Sequence, residues 1–108
     1  MSTTIETALV SKLKERVAYK KDGIVKEIIK KSDTGHIIMF AFDKGQELKE
    51  HSAPFDAVLQ ALDGEALIHI AGEPHIVKAG EMIILPATIP HAVAATTAFK
   101  MLLTSIRD

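Results

Sequence analysis

The sequence predicts an all-β fold, a double-stranded β-helix or jelly-roll barrel preceded by a short helix or turn. Three observations carry that prediction. Seven or more apolar runs of strand length follow one another. Turn residues punctuate them at roughly even spacing: DKGQ (43–46), LDGE (62–65), AGEP (71–74), KAGE (78–81), Pro86 and Pro90. No helix-length segment separates the runs, which excludes a doubly wound α/β fold. A jelly roll suits such a chain because folding one sheet onto another protects the edges of many short strands. At 108 residues there is one domain and one core, with an N-terminal extension over about residues 1–22 and the barrel over about 23–108.

Taken in order, TIETALVSKLKER (4–16) places Ile5, Leu9, Val10 and Leu13 at spacings that suit a short amphipathic helix or turn. GIVKEIIKK (23–31) and HIIMFAF (36–42) flank the polar segment SDTG and predict a hairpin. AVLQA, ALIHI, HIV, MIIL, HAVAA and FKMLLTSI supply the remaining strands. Alternation in EALIHI puts Ala66, Ile68 and Ile70 on one face and Glu65, Leu67 and His69 on the other, so His69 is expected at the surface. By the same parity Phe40 and Phe42 share a face, as do Met101 and Leu103. Aromatic residues are only 5% of the chain, so the interior is expected to be aliphatic with methionine.

Composition narrows the function. Apolar residues are 47% and charged residues 25%, with a formal net charge of −1, which gives no electrostatic reason to expect nucleic acid or an anionic membrane as partner. Lysines and arginine cluster between Lys12 and Lys31, but Glu15, Asp22 and Glu27 interrupt them and no aromatic residues interleave for base stacking. There is no cysteine, which removes disulfides, thiolate metal sites and cysteine nucleophiles. The opening residues lack the apolar core of a signal peptide, and no run approaches a membrane span of about 18 apolar residues. A cytoplasmic protein is the expectation.

The five histidines are the main candidates for chemistry, since no GxSxG elbow, P-loop or GxGxxG occurs. His36 opens a strand beside a polar turn and His75 follows the AGEP turn, so both are expected at the solvated rim. His51 and His91 stand in more patterned stretches. GQELKEHSAPFDAVLQALDG (45–64) resembles the first cupin motif, G-x5-H-x-H-x3,4-E-x6-G, with Gly45, His51 and Gly64 in register. GEMIILPATIPHAVAA (80–95) resembles the second, G-x5-P-x-G-x2-H-x3-N, through Gly80, Pro86 and His91, with Thr88 in place of glycine and Ala95 in place of asparagine. The resemblance covers about residues 36–106 and agrees with the jelly roll read from the strands.

The resemblance implies a metal set of three histidines and a carboxylate at positions 51, 53, 57 and 91. Those positions read His51, Ala53, Ala57 and His91. Asp56 neighbours the carboxylate position, and strand alternation turns it to the opposite face unless Pro54 introduces a bulge. Two neutral imidazoles do not offset the desolvation of a divalent cation, and catalytic sites of this kind normally hold three protein ligands. The expected function is therefore binding of a small polar or anionic molecule in an aliphatic pocket, with His51, His91, Gln60, Phe40, Phe42 and Met101 as candidate ligand contacts. The alternative is a metal-dependent dioxygenase, isomerase or decarboxylase, in which His51 and His91 hold iron, manganese, nickel or zinc with help from elsewhere. Resemblance to small cupins also implies a homodimer, and GIVKEII, apolar on both faces, fits a strand covered on both sides.

Overall fold

The computed structural model describes residues 6–107. Nine strands follow in order: β1 (Ile24–Ser32), β2 (Gly35–Phe42), β3 (Glu47–His51), β4 (Asp56–Asp63), β5 (Glu65–Ile70), β6 (Glu73–Lys78), β7 (Met82–Leu85), β8 (His91–Ala95) and β9 (Phe99–Ile106). They build a five-stranded sheet, β1-β2-β9-β4-β7, and a four-stranded sheet, β3-β8-β5-β6. All pairings are antiparallel. This is the jelly roll that alternation and turn spacing predict.

The two sheets enclose one apolar layer. Phe40, Phe42, Leu59, Phe99, Met101 and Leu85 reach it from the larger sheet, and Ala66, Ile68, Val77, Val93 and Ala95 from the smaller. Phe40 stacks on Phe42 at 5.8 Å between ring centroids, and Phe42 leans on Phe99 at 5.9 Å. Alternation predicts this inward set, because residues i and i+2 of a strand share a face. Gly64, between β4 and β5, sits at φ +73°, and a Cβ there would lie 1.8 Å from the Ala98 carbonyl oxygen. Only glycine fits that corner.

A second, smaller cluster covers part of the outer face of the larger sheet. Val17 is 4% exposed and packs on Met39 and Ala41, with Val25, Ile29, Leu62 and Leu102 around them. The Arg16 guanidinium donates to both carboxylate oxygens of Glu27, at 3.3 and 3.1 Å. Tyr19 donates its hydroxyl to Asp63, and Lys100 Nζ donates to the Lys14 carbonyl and lies 4.9 Å from the Tyr19 ring centre. Burial, then the Asp63 carboxylate, pushes the Tyr19 phenol well above its ordinary range. These contacts strap residues 14–19 across the sheet.

Of the two forms expected for the N-terminal segment, the turn is the one present: a single 3-10 turn at Leu13–Glu15. Leu9, Val10 and Leu13 are 61%, 97% and 45% exposed, and Ile5 lies outside the described residues. Helix nucleation is costly, and a segment this short needs a packing surface to repay it. These three side chains stay largely exposed among the described residues.

The connections alternate between the two ends of the sandwich. The turns at 33–34 and 71–72 and the loops 52–55 and 86–90 all lie at one end. Bonds knit that end together: Thr88 N–H donates to Ala53 O at 2.7 Å, and Ala71 N–H donates to Pro90 O at 2.8 Å. The termini of β3, β7 and β5 and the starts of β8, β4 and β2 therefore meet there.

Candidate functional site

His51 and His91 meet at this end of the barrel. They are register partners on β3 and β8, with ring centroids 4.5 Å apart and planes at 67°. His91 shares its face with Val93 and Ala95, which point into the core. His51 needs a further device. Leu48 faces Val93, so regular pairing would bring Glu50 opposite His91. A register shift between Leu48 and His51 inserts one extra residue, and the bulge delivers the imidazole in place of the carboxylate.

Each imidazole is held in the same way. His51 Nδ1–H donates to the Lys49 carbonyl at 2.9 Å, and His91 Nδ1–H donates to the Ile89 carbonyl at 3.3 Å. A carbonyl can only accept, so each Nδ1 carries the proton and each Nε2 keeps its lone pair. Every buried side-chain nitrogen or oxygen among the described residues has a partner, and neither Nε2 bonds to any of those residues, so both remain accessible. His91 is 7% exposed. Burial, then the neighbouring His51, lowers its pKa below the ordinary 6.5, against a smaller opposing effect of the Ile89 carbonyl. With each Nδ1 committed to its own backbone, the pair presents two Nε2 atoms as acceptors.

The remaining positions of the resembled metal set do not supply donors. Ala57 is buried and Ala53 half-buried. β4 runs without a bulge through Asp56 and Ala57, so Asp56 points away from the core. Its carboxylate accepts the Ala87 N–H at 2.8 Å and pins the 86–90 loop. No group of three or more histidine or carboxylate ligands occurs among the described residues. Two imidazoles alone do not fit a resident catalytic metal, which takes three protein ligands or a two-histidine, one-carboxylate face.

The other sequence candidates are dispersed. Gln60 is exposed and points away from the core, because Ala57, Leu59 and Ala61 take the inward positions of β4. It lines a shallow surface depression with Leu62, Gly80, Glu81 and Met82 and does not join the histidines. Phe40, Phe42 and Met101 are 8%, 0% and 0% exposed and fill the sheet interface. Phe42 lies six residues along β2 from the histidine end, roughly 20 Å at strand rise. His69 is half-buried on the outward face and His75 is exposed on an edge strand.

Two further residues belong to this end: Ser105, which the sequence candidates did not include, and His36, which was expected at the solvated rim. Ser105 and His91 are the buried polar side chains among the described residues, at 5% and 7% exposure. Ser105 pairs with Ala57 on one side and with His36 on the other. His36 thus faces inward, where its ring meets Phe55 edge-on at 5.6 Å. The Arg107 guanidinium lies 5.2 Å from the same Phe55 ring. The signal was available in FKMLLTSI, whose alternation Phe99, Met101, Leu103, Ser105 ends on a polar residue at an inward position.

Comparison with known proteins matches this architecture. A family model described as Cupin domain matches residues 38–106. A conserved protein of unknown function from Streptococcus pyogenes is similar at 38% identity and a TM-score of 0.93, covering 100% of this chain and 96% of its own. A cupin 2 conserved barrel domain protein from Leptotrichia buccalis is 43% identical with a TM-score of 0.86; the match covers 88% of this chain but 46% of that one. A cupin superfamily protein from Desulfitobacterium hafniense shares the fold at 23% identity and a TM-score of 0.90, covering 96% and 95%. No functionally curated protein matches the chain.

Proposed function

The chain belongs to the cupin domain family, and on that premise we propose that it binds a small polar molecule at the His51–His91 pair rather than working through a resident metal. One observation carries the reading. Two imidazoles on adjacent strands each commit Nδ1 to their own backbone and present Nε2, 4.5 Å apart between ring centres, at the mouth of an apolar barrel. Few, convergent polar groups against an apolar wall are the usual composition of a small-molecule site. Neutral Nε2 atoms accept hydrogen bonds, so a ligand hydroxyl is the natural partner, each bond contributing about 1 kcal/mol net. Proton uptake by one ring converts it into a charge-assisted donor to an anionic group. A homodimer forms part of this reading, supported by the uncovered apolar side chains of Leu9, Val10, Met82, Ile84 and Ile106.

The test follows the imidazole nitrogens by NMR while glycolate, glycerol and inorganic phosphate are titrated in. At least one probe is expected to move both Nε2 resonances, and the double variant His51→Ala/His91→Ala is expected to lose that binding. Binding that survives the double substitution overturns the proposal. Dialysis against Fe(II), Mn(II), Ni(II) and Zn(II) forms the second arm. The metal-free reading predicts well under one equivalent retained, and one tightly held equivalent lost in His91→Ala would establish the metal-dependent alternative.

A further inference from the structure

Beyond the histidine pair, the larger sheet brings a second polar group of residues to the same mouth. His36, Ser105 and Ala57 form one cross-strand row on β2, β9 and β4, all on the inward face. The loops 52–55 and 86–90 run from His51 and His91 on one sheet to Ala57 and Leu85 on the other, so this row faces the histidine pair across the mouth. We infer that His36 and Ser105 form the far wall of the His51–His91 site, and that its ligand is a small hydroxy-carboxylate, hydroxyl at the histidine pair and carboxylate at His36. This rests on the ligand-binding reading of the pair.

Several independent observations point the same way. Ser105 Oγ makes no hydrogen bond among the described residues, yet no buried polar atom there is left without a partner, so the hydroxyl keeps open contact beside Ala57. Ala57, where the family motif has a carboxylate, offers only a methyl group, so that position sets no anion beside Ser105. Two cations stand at the His36 end: Lys31 pairs with His36, and Arg107 caps Phe55 beside the His36 ring. Lys26, opposite Phe40, lies farther along the same inward side of edge strand β1, and Asp33 stands in the adjoining 33–34 turn. The one ion pair among the described residues joins Arg16 to Glu27, so those three cations have no carboxylate partner there. Asp56 is turned outward and engaged by Ala87, and Glu73, on the inward side of β6, stands two strands from His91. The two ends of the mouth therefore ask for different groups: a donor at the two acceptor nitrogens, and an anion at the unpaired cations. The two walls belong to facing sheets, which pack about 10 Å apart, and that separation less the side chains reaching in suits a chain of about four to six carbons.

The experiment titrates 4-hydroxybutanoate and 6-hydroxyhexanoate, their primary amides, and the deoxy acids butanoate and hexanoate against the native protein and the Ser105→Ala, Ser105→Thr and His36→Gln variants. The hydroxy acids are expected to bind at least tenfold tighter than either control set. Ser105→Ala and His36→Gln are each expected to weaken the hydroxy acid about tenfold while leaving its amide within twofold, and Ser105→Thr is expected to restore native affinity. Equal binding of acid and amide, or indifference to Ser105 and His36, overturns the inference. If glycolate, glycerol or phosphate still moves the His51 and His91 nitrogens in that case, the ligand-binding reading stands and only the far wall is lost. If no probe moves them, both fall. Thermal melts of each variant confirm a folded protein before the affinities are compared.

Discussion

Thr88 carries φ +66°, a left-handed conformation, at the position where the second cupin motif has glycine. It follows Ala87 in a turn closed by Ile89 N–H to the Pro86 carbonyl, and its own N–H reaches Ala53 O. A β-branched side chain resists that conformation, and the surrounding bonds impose it. Thr88→Gly is therefore expected to stabilise the fold by about 1 kcal/mol, after subtracting the extra freedom glycine gives the unfolded chain, read from the denaturation midpoint. His91 gives a second residue-scale expectation. Its folded pKa lies below the unfolded value of 6.5, so the unfolded chain binds the proton more readily. Its contribution to stability is complete above about pH 6.5 and is lost as pH falls through the lowered folded value. Denaturation midpoints between about pH 7 and about pH 5 should fall less steeply for His91→Gln than for the native chain. Part of the slope should survive, because burial followed by Lys31 and Lys26 lowers the His36 pKa in the same direction.

At the scale of elements, the β5–β6 hairpin shows local chemistry and tertiary pairing pulling apart. Its two central residues, Ala71 and Gly72, sit at φ +52° and +82°, as a type I′ turn requires at both positions. Gly72 meets that demand freely and Ala71 does not. The pairing of Ile70 with Glu73 leaves no other geometry. Ala71→Asn is expected to raise stability by about 0.5–1 kcal/mol, measured by thermal or urea unfolding, since asparagine tolerates the left-handed region better than alanine. The N-terminal segment shows the opposite case. The spacing of Leu9, Val10 and Leu13 was legible as amphipathic, but spacing alone does not provide a surface to cover. The strap that does hold the segment uses Arg16, Val17 and Tyr19, whose partners Glu27, Met39 and Asp63 are distant in sequence.

For the whole molecule, that strap leaves the outer face of the larger sheet only partly covered. Met82, Ile84 and Ile106 are 55%, 52% and 55% exposed on it. Light scattering after size exclusion should report a dimer, and Ile84→Lys with Met82→Lys should shift it to monomer without loss of fold. A native chain that stays monomeric at about 100 μM would remove the dimer from the proposal, because stable interfaces bury more apolar surface than a transient contact needs.

The all-β class, the strands and their turns, and the shared faces in β5 and β9 were legible in the sequence. Those features follow from period-two alternation and from glycine and proline, which act over a few residues. Tertiary structure alone decided that a bulge turns His51 rather than Glu50 toward His91, that Ser105 stands beside Ala57 with His36 beyond it, and that Gln60, Phe42 and Met101 lie away from the pair. Each depends on which strands pair and in what register. A one-residue slip reverses the face of every side chain that follows, and strand alternation within one segment does not record where its partner begins.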